Sequence, residues 1–253
     1  MICLTFDTDY MSASDMDYFL KTLQLPGQGT FFITEPYRDL HWGNHERAPH
    51  PFFKTGEEWS TTTEKLTREM DNPPKGIRTH SCAYIQPFGS YLHQAGYDYI
   101  SVVTLPGEEN LKPYRHPWGI WEIPIYYMDN MDFCMSINWP DYQHDPFNPQ
   151  IIQNAIHGNG LYVFDFHPLH LAMNTPTYAY YGEVREKRIQ NQDSAFNYTF
   201  DGYGTRNFYL ELCQAMQDNG LVSRTCSQAL AFYQNKENAL SHQTQQPLLV
   251  TPS

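Results

Sequence analysis

Hydrophobic positions open the chain as an almost unbroken run, ICLTF over residues 2–6, which ends on two acids one residue apart, Asp7 and Asp9. A run of that length and β-branched character predicts a buried strand. Met16, Phe19, Leu20 and Leu23 then recur at the spacing of one helical face, and Ser14 with Asp17 three residues on resembles a capping box. LPGQG supplies turn residues and TFFIT (30–34) reads as the next strand, so a β–α–β unit is complete by residue 34. The alternation continues with a helix over 57–71, the breaker Pro73-Pro74, a strand near 76–79, a helix over 86–95 and a strand over 97–103. Further strands are expected at 120–127 and 161–166, with NPQIIQNAIHGNG between them as a helix closed by Gly158 and Gly160. Such alternation implies an α/β fold with a mostly parallel sheet, open or closed into a barrel.

From 171 to 203 the pattern turns polar, Tyr-rich and aperiodic, and a lid or substrate loop is expected there. Helices follow over 204–219 and near 227–235. Residues 1–235 are expected to form a single catalytic domain and 236–253 a flexible C-terminal tail.

Charge narrows the partners. A formal net charge of −12 with only 16 Lys+Arg lacks the basic footprint that phosphate-backbone binding requires, so nucleic acid is not expected. No run approaches the roughly 18 apolar residues of a membrane span, and the first strand begins without a charged leader, so a cytoplasmic protein is expected. Five scattered cysteines, never spaced CxxC, suggest buried free thiols rather than a disulfide framework or a thiolate zinc site. Aromatic residues at 15% suit sugar binding as well as an ordinary core. No element of the sequence specifies an oligomeric state.

The two acids carry the first chemical signal. Two apart on one strand, Asp7 and Asp9 project from the same face at its C-terminal end, where active sites of parallel α/β folds gather. Pressed together they would repel, and one would take up a proton, unless a cation or an arginine held them charged. Candidate partners lie in LHWGNHERAPHP, which places His41, His45 and His50 within ten residues of a chain holding 11 His. His45 and His50 would stand about 140° apart around a helix and Pro49 intervenes, so they are expected to converge from a loop or irregular turn. His41 and His45 have helical spacing weakened by Gly43, which leaves His41 in reserve. One carboxylate with two imidazoles is the pattern of an open, catalytic metal site, and Asp7 would then take the proton from water. Arg78, ending the strand KGIR, could hold Asp7 bidentately. His167 and His170 follow another strand, where an imidazole could protonate a leaving group.

The segments LTFDTD, GTFFIT, GNHERAPHP, GIRTHS with LHQAGYDYIS, and FDFHP resemble, in order, the NodB-homology polysaccharide deacetylases of carbohydrate esterase family 4, and among them the WbmS-like branch linked to O-antigen biosynthesis. The resemblance implies a distorted (β/α)7-type barrel. It implies Asp7 as base, Asp9, His45 and His50 as metal ligands, Arg78 as the group orienting the base, and His167 as acid. The family's adjacent acids are separated here by Thr8, its histidine spacing of four becomes five, and its Arg-Pro-Pro-Tyr segment becomes RTHS, which brings in His80. His170 competes with His167 for the acid role.

The expected reaction is hydrolysis of an N-acetyl or other N-acyl group on an amino sugar, with zinc as the first choice of metal and cobalt, nickel or iron(II) also compatible with oxygen and imidazole ligands. The expected substrate is an intracellular glycan precursor, and Trp42, Tyr178, Tyr180 and Tyr181 are candidate sugar platforms. Two alternatives stand beside this: a metal-dependent hydrolase of another bond, and a non-catalytic carbohydrate-binding relative.

Overall fold

The computed structural model describes residues 1–70, 72–138 and 144–244. Along the chain the first elements are β1 (Ile2–Asp7), α1 (Ala13–Thr22), β2 (Gly29–Ile33), β3 (Glu46–Pro49), α2 (Trp59–Thr67), β4 (Gly76–Ile77), α3 (Gln86–Gln94) and β5 (Tyr99–Ile100). They are followed by β6 (Tyr114–Arg115), β7 (Trp121–Glu122), β8 (Tyr127–Met128), α4 (Asp129–Asn138), α5 (Pro149–His157), β9 (Tyr162–Phe166), α6 (Pro168–Met173), α7 (Tyr178–Asn191), α8 (Thr205–Asp218) and α9 (Cys226–Thr244).

One sheet runs β3-β2-β1-β9-β8, all parallel; a second runs β4-β5-β7-β6 with only β6 antiparallel. The two join into a ring. Between β3 and β4 the amide of Arg78 donates to Pro49 O at 3.2 Å and that of His80 to Pro51 O at 3.1 Å. On the other side β7 and β8 are one strand interrupted at Pro124, which has no N–H to contribute. Ile123 and Ile125 donate to Ile100 and Val103, each at 2.8 Å, and Tyr126 donates to Val163 at 2.9 Å. Among the described residues, counting β7 and β8 as one, seven parallel strands close the circuit, the distorted (β/α)7 barrel that the family resemblance implied.

The period-two pattern of β1 assigns its residues to two cores. Ile2, Leu4 and Phe6 face outward into a cluster with Met16 and Phe19 of α1, Leu169 of α6, and Phe208 and Leu212 of α8. Cys3 faces inward and meets Phe32, Tyr99, Ile123 and Val163 in the barrel interior, where Cys226, Ala229 and Leu230 of α9 pack as a plug. Full burial of each such large side chain stabilises the fold by roughly 1.5–3 kcal/mol. A third cluster, Ile77, Phe88, Leu92 and Ile100, seats α3.

Several expectations need correction. The N-cap of α1 is Ser12, whose Oγ accepts from the Asp15 amide at 3.1 Å, while the Ser14 hydroxyl only meets that of Ser12. Residues 46–49 are a strand rather than a loop: β3 has no apolar alternation and forms through its pairing with β2. The stretch expected to be an aperiodic lid is mostly helical, α6 and α7; the latter buries only Val184 and so leaves little periodic trace. Helix α9 continues to Thr244, through the first part of the expected tail. The rest of that tail, 245–253, lies outside the described residues.

Gly76 shows how tightly β4 and β5 approach. A Cβ there would sit 1.9 Å from Cζ of the fully buried Tyr99. Gly76→Ala is therefore expected to lower unfolding stability by about 1–3 kcal/mol in denaturant melts, with partial recovery when Tyr99→Leu opens the space. An unchanged midpoint would mean that this contact does not constrain the strands.

Candidate active site

The barrel interior changes character along its axis. Above the apolar layer of Cys3 and Val163, the next inward residues are Thr5 and Asp165, and beside them Arg78 enters from the end of β4, wholly buried. Its Nη1 donates to Asp7 Oδ1 at 2.9 Å and Thr5 Oγ1 at 3.0 Å, and to Asp165 Oδ1. Nε and Nη2 donate to Ser101 O and Oγ at 3.0 and 2.9 Å. The guanidinium lies 4.1 Å from the Phe32 ring centroid. Arg78 thus holds Asp7 through a single nitrogen, not bidentately, because its remaining donors are committed to Ser101 and Asp165.

Asp7 and Asp165 flank one guanidinium in a dry interior. Burial disfavours two charges there, and although Arg78 opposes the effect, the neighbouring Asp7 charge reinforces it, so Asp165 is pushed up to about 8. Asp165 Oδ2 is buried without a hydrogen-bond partner.

At the open end, Thr8 fixes the turn between the two acids. Its amide donates to Phe32 O at 3.0 Å and its Oγ1 accepts from the Thr34 amide at 3.1 Å, leaving Asp7 and Asp9 on the interior side. His50 follows β3 directly, and its Nε2 lies 3.4 Å from Asp9 Oδ1 and 3.7 Å from Asp7 Oδ2. His80, two residues past Arg78, places Nδ1 3.3 Å from Asp9 Oδ2 and stacks on Phe52 at 3.8 Å. The turn that carries it is tight: Ser81 and Cys82 both have left-handed φ, 57° and 51°. Burial opposes ionisation of Asp9, but His50, His167 and His80 around it outweigh that and keep it a carboxylate.

These three side chains fit a metal ion. Asp9 Oδ1 and both ring nitrogens of His50 are buried without a hydrogen-bond partner, and one ligand atom each from Asp9, His50 and His80 falls within a 4.8 Å group. A carboxylate oxygen and an imidazole lone pair buried unshared are costly, and a divalent cation between them would satisfy both.

His167 forms the opposite wall. Its Nδ1 meets Asp129 Oδ1 at 2.7 Å, its amide donates to Asp129 Oδ2 at 2.8 Å, and Nε2 faces Asp9 Oδ2 at 3.4 Å. Burial alone would lower its pKa, but Asp129 and Asp9 reverse that and raise it. His170 is buried with Nδ1 against Thr175 Oγ1 at 3.1 Å; burial draws it down to about 4, so it stays neutral near pH 7. A cleft of about 370 Å³ opens over Asp9, His80, His167 and His170, walled by Phe133, Leu169, Tyr178 and Tyr181.

The structure thus assembles Asp7, Asp9, His50, Arg78, His167 and His170, adds His80, and leaves other candidates elsewhere. His45 precedes β3 while His50 follows it, so the strand separates them; His45 Nδ1 accepts from the Gly29 amide at 3.1 Å. His41 is exposed on the approach to that same end. Trp42 is buried against Phe31, 5.2 Å between centroids, and Tyr180 is tied to Tyr198 O at 2.6 Å, so neither lines the cleft. Asp129 and Asp165 escaped sequence reasoning. Each sits in or directly after a strand of the barrel, the same signal that drew attention to Asp7, and that position could have flagged them.

Residues 4–185 match the sequence profile of the WbmS-like polysaccharide deacetylases. The chain belongs to that family. No curated protein sequence matches the chain. Among solved structures, a Bordetella bronchiseptica protein assigned as a polysaccharide deacetylase involved in O-antigen biosynthesis aligns with TM-score 0.64 at 20% identity, over 84% of this chain and 89% of that one. A 4-alpha-glucanotransferase from Thermococcus litoralis aligns with TM-score 0.50 at 13% identity, over 91% of this chain and 38% of that one. A family 4 carbohydrate esterase from Streptomyces lividans aligns with TM-score 0.44 at 12% identity, over 88% and 90%. At these identities the first two likenesses show the fold alone. No described helix of this family member is long and apolar enough to cross a membrane.

The raised pKa of Asp165 has a measurable consequence. Its folded-state pKa of about 8 lies above its unfolded value, so its contribution to stability is fully present below about pH 4 and is lost as pH rises toward 8. Thermal melts from pH 4 to 8 are expected to show this decline flattened in Asp165→Asn; an identical slope in both proteins would place the proton elsewhere.

Proposed function

We propose that the chain hydrolyses an N-acetyl, or related N-acyl, group on an amino sugar in a metal-dependent reaction at the cleft over the barrel mouth. The observation that carries this reading is the convergence of Asp9, His50 and His80 around unshared buried lone pairs, with Asp7 and His167 at its edges. These three residues would hold a divalent ion, zinc by first choice, with cobalt, nickel or iron(II) also compatible with the donor set. When bound, the ion supplies a Lewis acid that polarises the acyl carbonyl and brings the pKa of water to about 7.

The chain's own groups manage the protons. Asp7, with Oδ1 held by Arg78, presents Oδ2 to take a proton from the attacking water as the new C–O bond forms. His167, its Nδ1 fixed by Asp129, carries a proton on Nε2 for the departing amine as the C–N bond breaks, giving a carboxylate and a free amino sugar. Asp129 raises the pKa of His167, which favours the protonated form this step requires. His170, kept neutral, serves as a polar wall rather than the acid. Tyr178 and Tyr181 offer the ring faces against which a sugar would lie. By analogy with the Bordetella relative, the substrate belongs to surface-polysaccharide or O-antigen biosynthesis, and we take it to be a cytoplasmic, nucleotide- or lipid-linked precursor.

Two outcomes are expected. Acetate release from N-acetylated amino sugars, followed enzymatically, should stop with chelator, return with zinc or cobalt, and fall by roughly 10²–10⁴-fold in Asp7→Asn. A panel that yields only phosphate or another product would redirect the reading to a different bond. Elemental analysis should find near one equivalent of metal in the wild type and in His45→Ala, and little in Asp9→Ala or His80→Ala; retention in His80→Ala would return the third ligand to another residue.

A further inference from the structure

The cleft carries one charge that neither the barrel fold nor the hydrolytic groups call for. Tyr178, Tyr181 and Arg185 recur at i, i+3 and i+7, so α7 presents them on one face along the cleft wall. Among the described residues lining the cleft, Arg185 is the only Lys or Arg, in a chain of net charge −12. Its guanidinium lies 5.3 Å from the ring centroid of Tyr10, the residue next to Asp9. Tyr10 has a left-handed φ of 57°, which turns its ring out to the rim against Phe52, so Arg185 stands beside the hydrolytic centre.

Its neighbour on the helix is engaged quite differently. Arg188 Nη2 donates to Tyr10 O at 2.7 Å and lies 3.7 Å from Asp15, an arrangement that docks α7 onto the turn after β1. Arg185 makes no ion pair or hydrogen bond among the described residues; its guanidinium lies over the Tyr10 ring and its charge also acts on Tyr181. A guanidinium stacked on an aromatic face keeps its in-plane donors free, and those donors match a carboxylate or phosphate in bidentate fashion. Docking by Arg188 therefore positions Arg185 without consuming its charge.

We infer that Arg185 is a specificity-determining residue that selects an amino-sugar substrate bearing an anionic group beside the hydrolysed amide. This rests on the deacetylase reading of the same cleft and narrows it. The anion has two chemical sources, a carboxylate on the sugar ring system or the diphosphate of an activated precursor, and both meet the same guanidinium.

The experiment uses the full metal-loaded chain with three N-acetylated probes: neutral diacetylchitobiose, the carboxylate N-acetylmuramic acid, and the diphosphate UDP-N-acetylglucosamine. Calorimetry measures binding and acetate release measures turnover. At least one anionic probe is expected to bind about tenfold tighter than the neutral one, with the margin shrinking as salt rises. That margin should collapse in Arg185→Ala, persist in part in Arg185→Lys, and persist fully in Lys187→Ala on the solvent side of α7. Whichever anion shows the margin identifies the source. Equal binding of all three probes, or an undiminished margin in Arg185→Ala, would overturn the inference. Arg185-dependent anion binding without acetate release would support it while removing the deacetylase reading; acetate release from neutral and anionic probes alike, insensitive to Arg185, would do the reverse.

Discussion

A fully buried guanidinium between the side chains of Asp7 and Asp165 is the constraint on which the upper half of the barrel depends. Arg78 enters from β4, Asp7 from β1, Asp165 from β9 and Ser101 from the end of β5, so one side chain ties four staves together. Such a cluster is stable only when complete. Removing Arg78 or Asp7 leaves an unpaired charge in a medium that cannot solvate it, which typically costs about 3–5 kcal/mol. The barrel accommodates the cluster because its lower layers, Cys3, Val163 and the α9 plug, keep the remainder apolar.

The same constraint sets up chemistry. By fixing one oxygen of Asp7, Arg78 leaves the other directed toward His50, the arrangement a general base needs. Every residue proposed to take part in the reaction ends, or closely follows, a strand of the barrel: Asp7 and Asp9 after β1, His50 after β3, His80 after β4, Asp129 after β8 and His167 after β9. Strand ends are rigid, so imidazoles and carboxylates are held by backbone ladders rather than by flexible loops. Helix α7 adds the outer wall of the cleft, anchored at Tyr10 by Arg188.

Much of this was legible in the sequence. The strands β1, β2 and β9 announce themselves as hydrophobic runs because both faces are buried, and the acids that end the first run point to the site without reference to any fold. Strand β3 was not legible: Glu46, Arg47 and Pro49 have poor intrinsic strand character, and only hydrogen bonding with β2 makes them one. That single miss misplaced His45, since a loop could have brought it beside His50 whereas a strand cannot. His80 was visible only as an unexplained polar group, because its position depends on the left-handed turn at Ser81 and on Phe52 stacking, neither of which has a local sequence signature. Trp42 and Tyr180 illustrate the converse, aromatic residues whose type suits sugar binding but which pack elsewhere, Trp42 in the core and Tyr180 half-buried against its edge.

The central claim is that Asp9, His50 and His80 form the metal centre, with Asp129 and His167 reserved for proton transfer. Anomalous diffraction at the zinc edge from zinc-soaked crystals tests it most directly. The account requires one peak within bonding distance, about 2.0–2.2 Å, of an Asp9 oxygen and a nitrogen each of His50 and His80. A peak bounded instead by Asp129, His167 and His170, the neighbouring group that could also hold an ion, would contradict both the ligand set and the assignment of His167 as the acid.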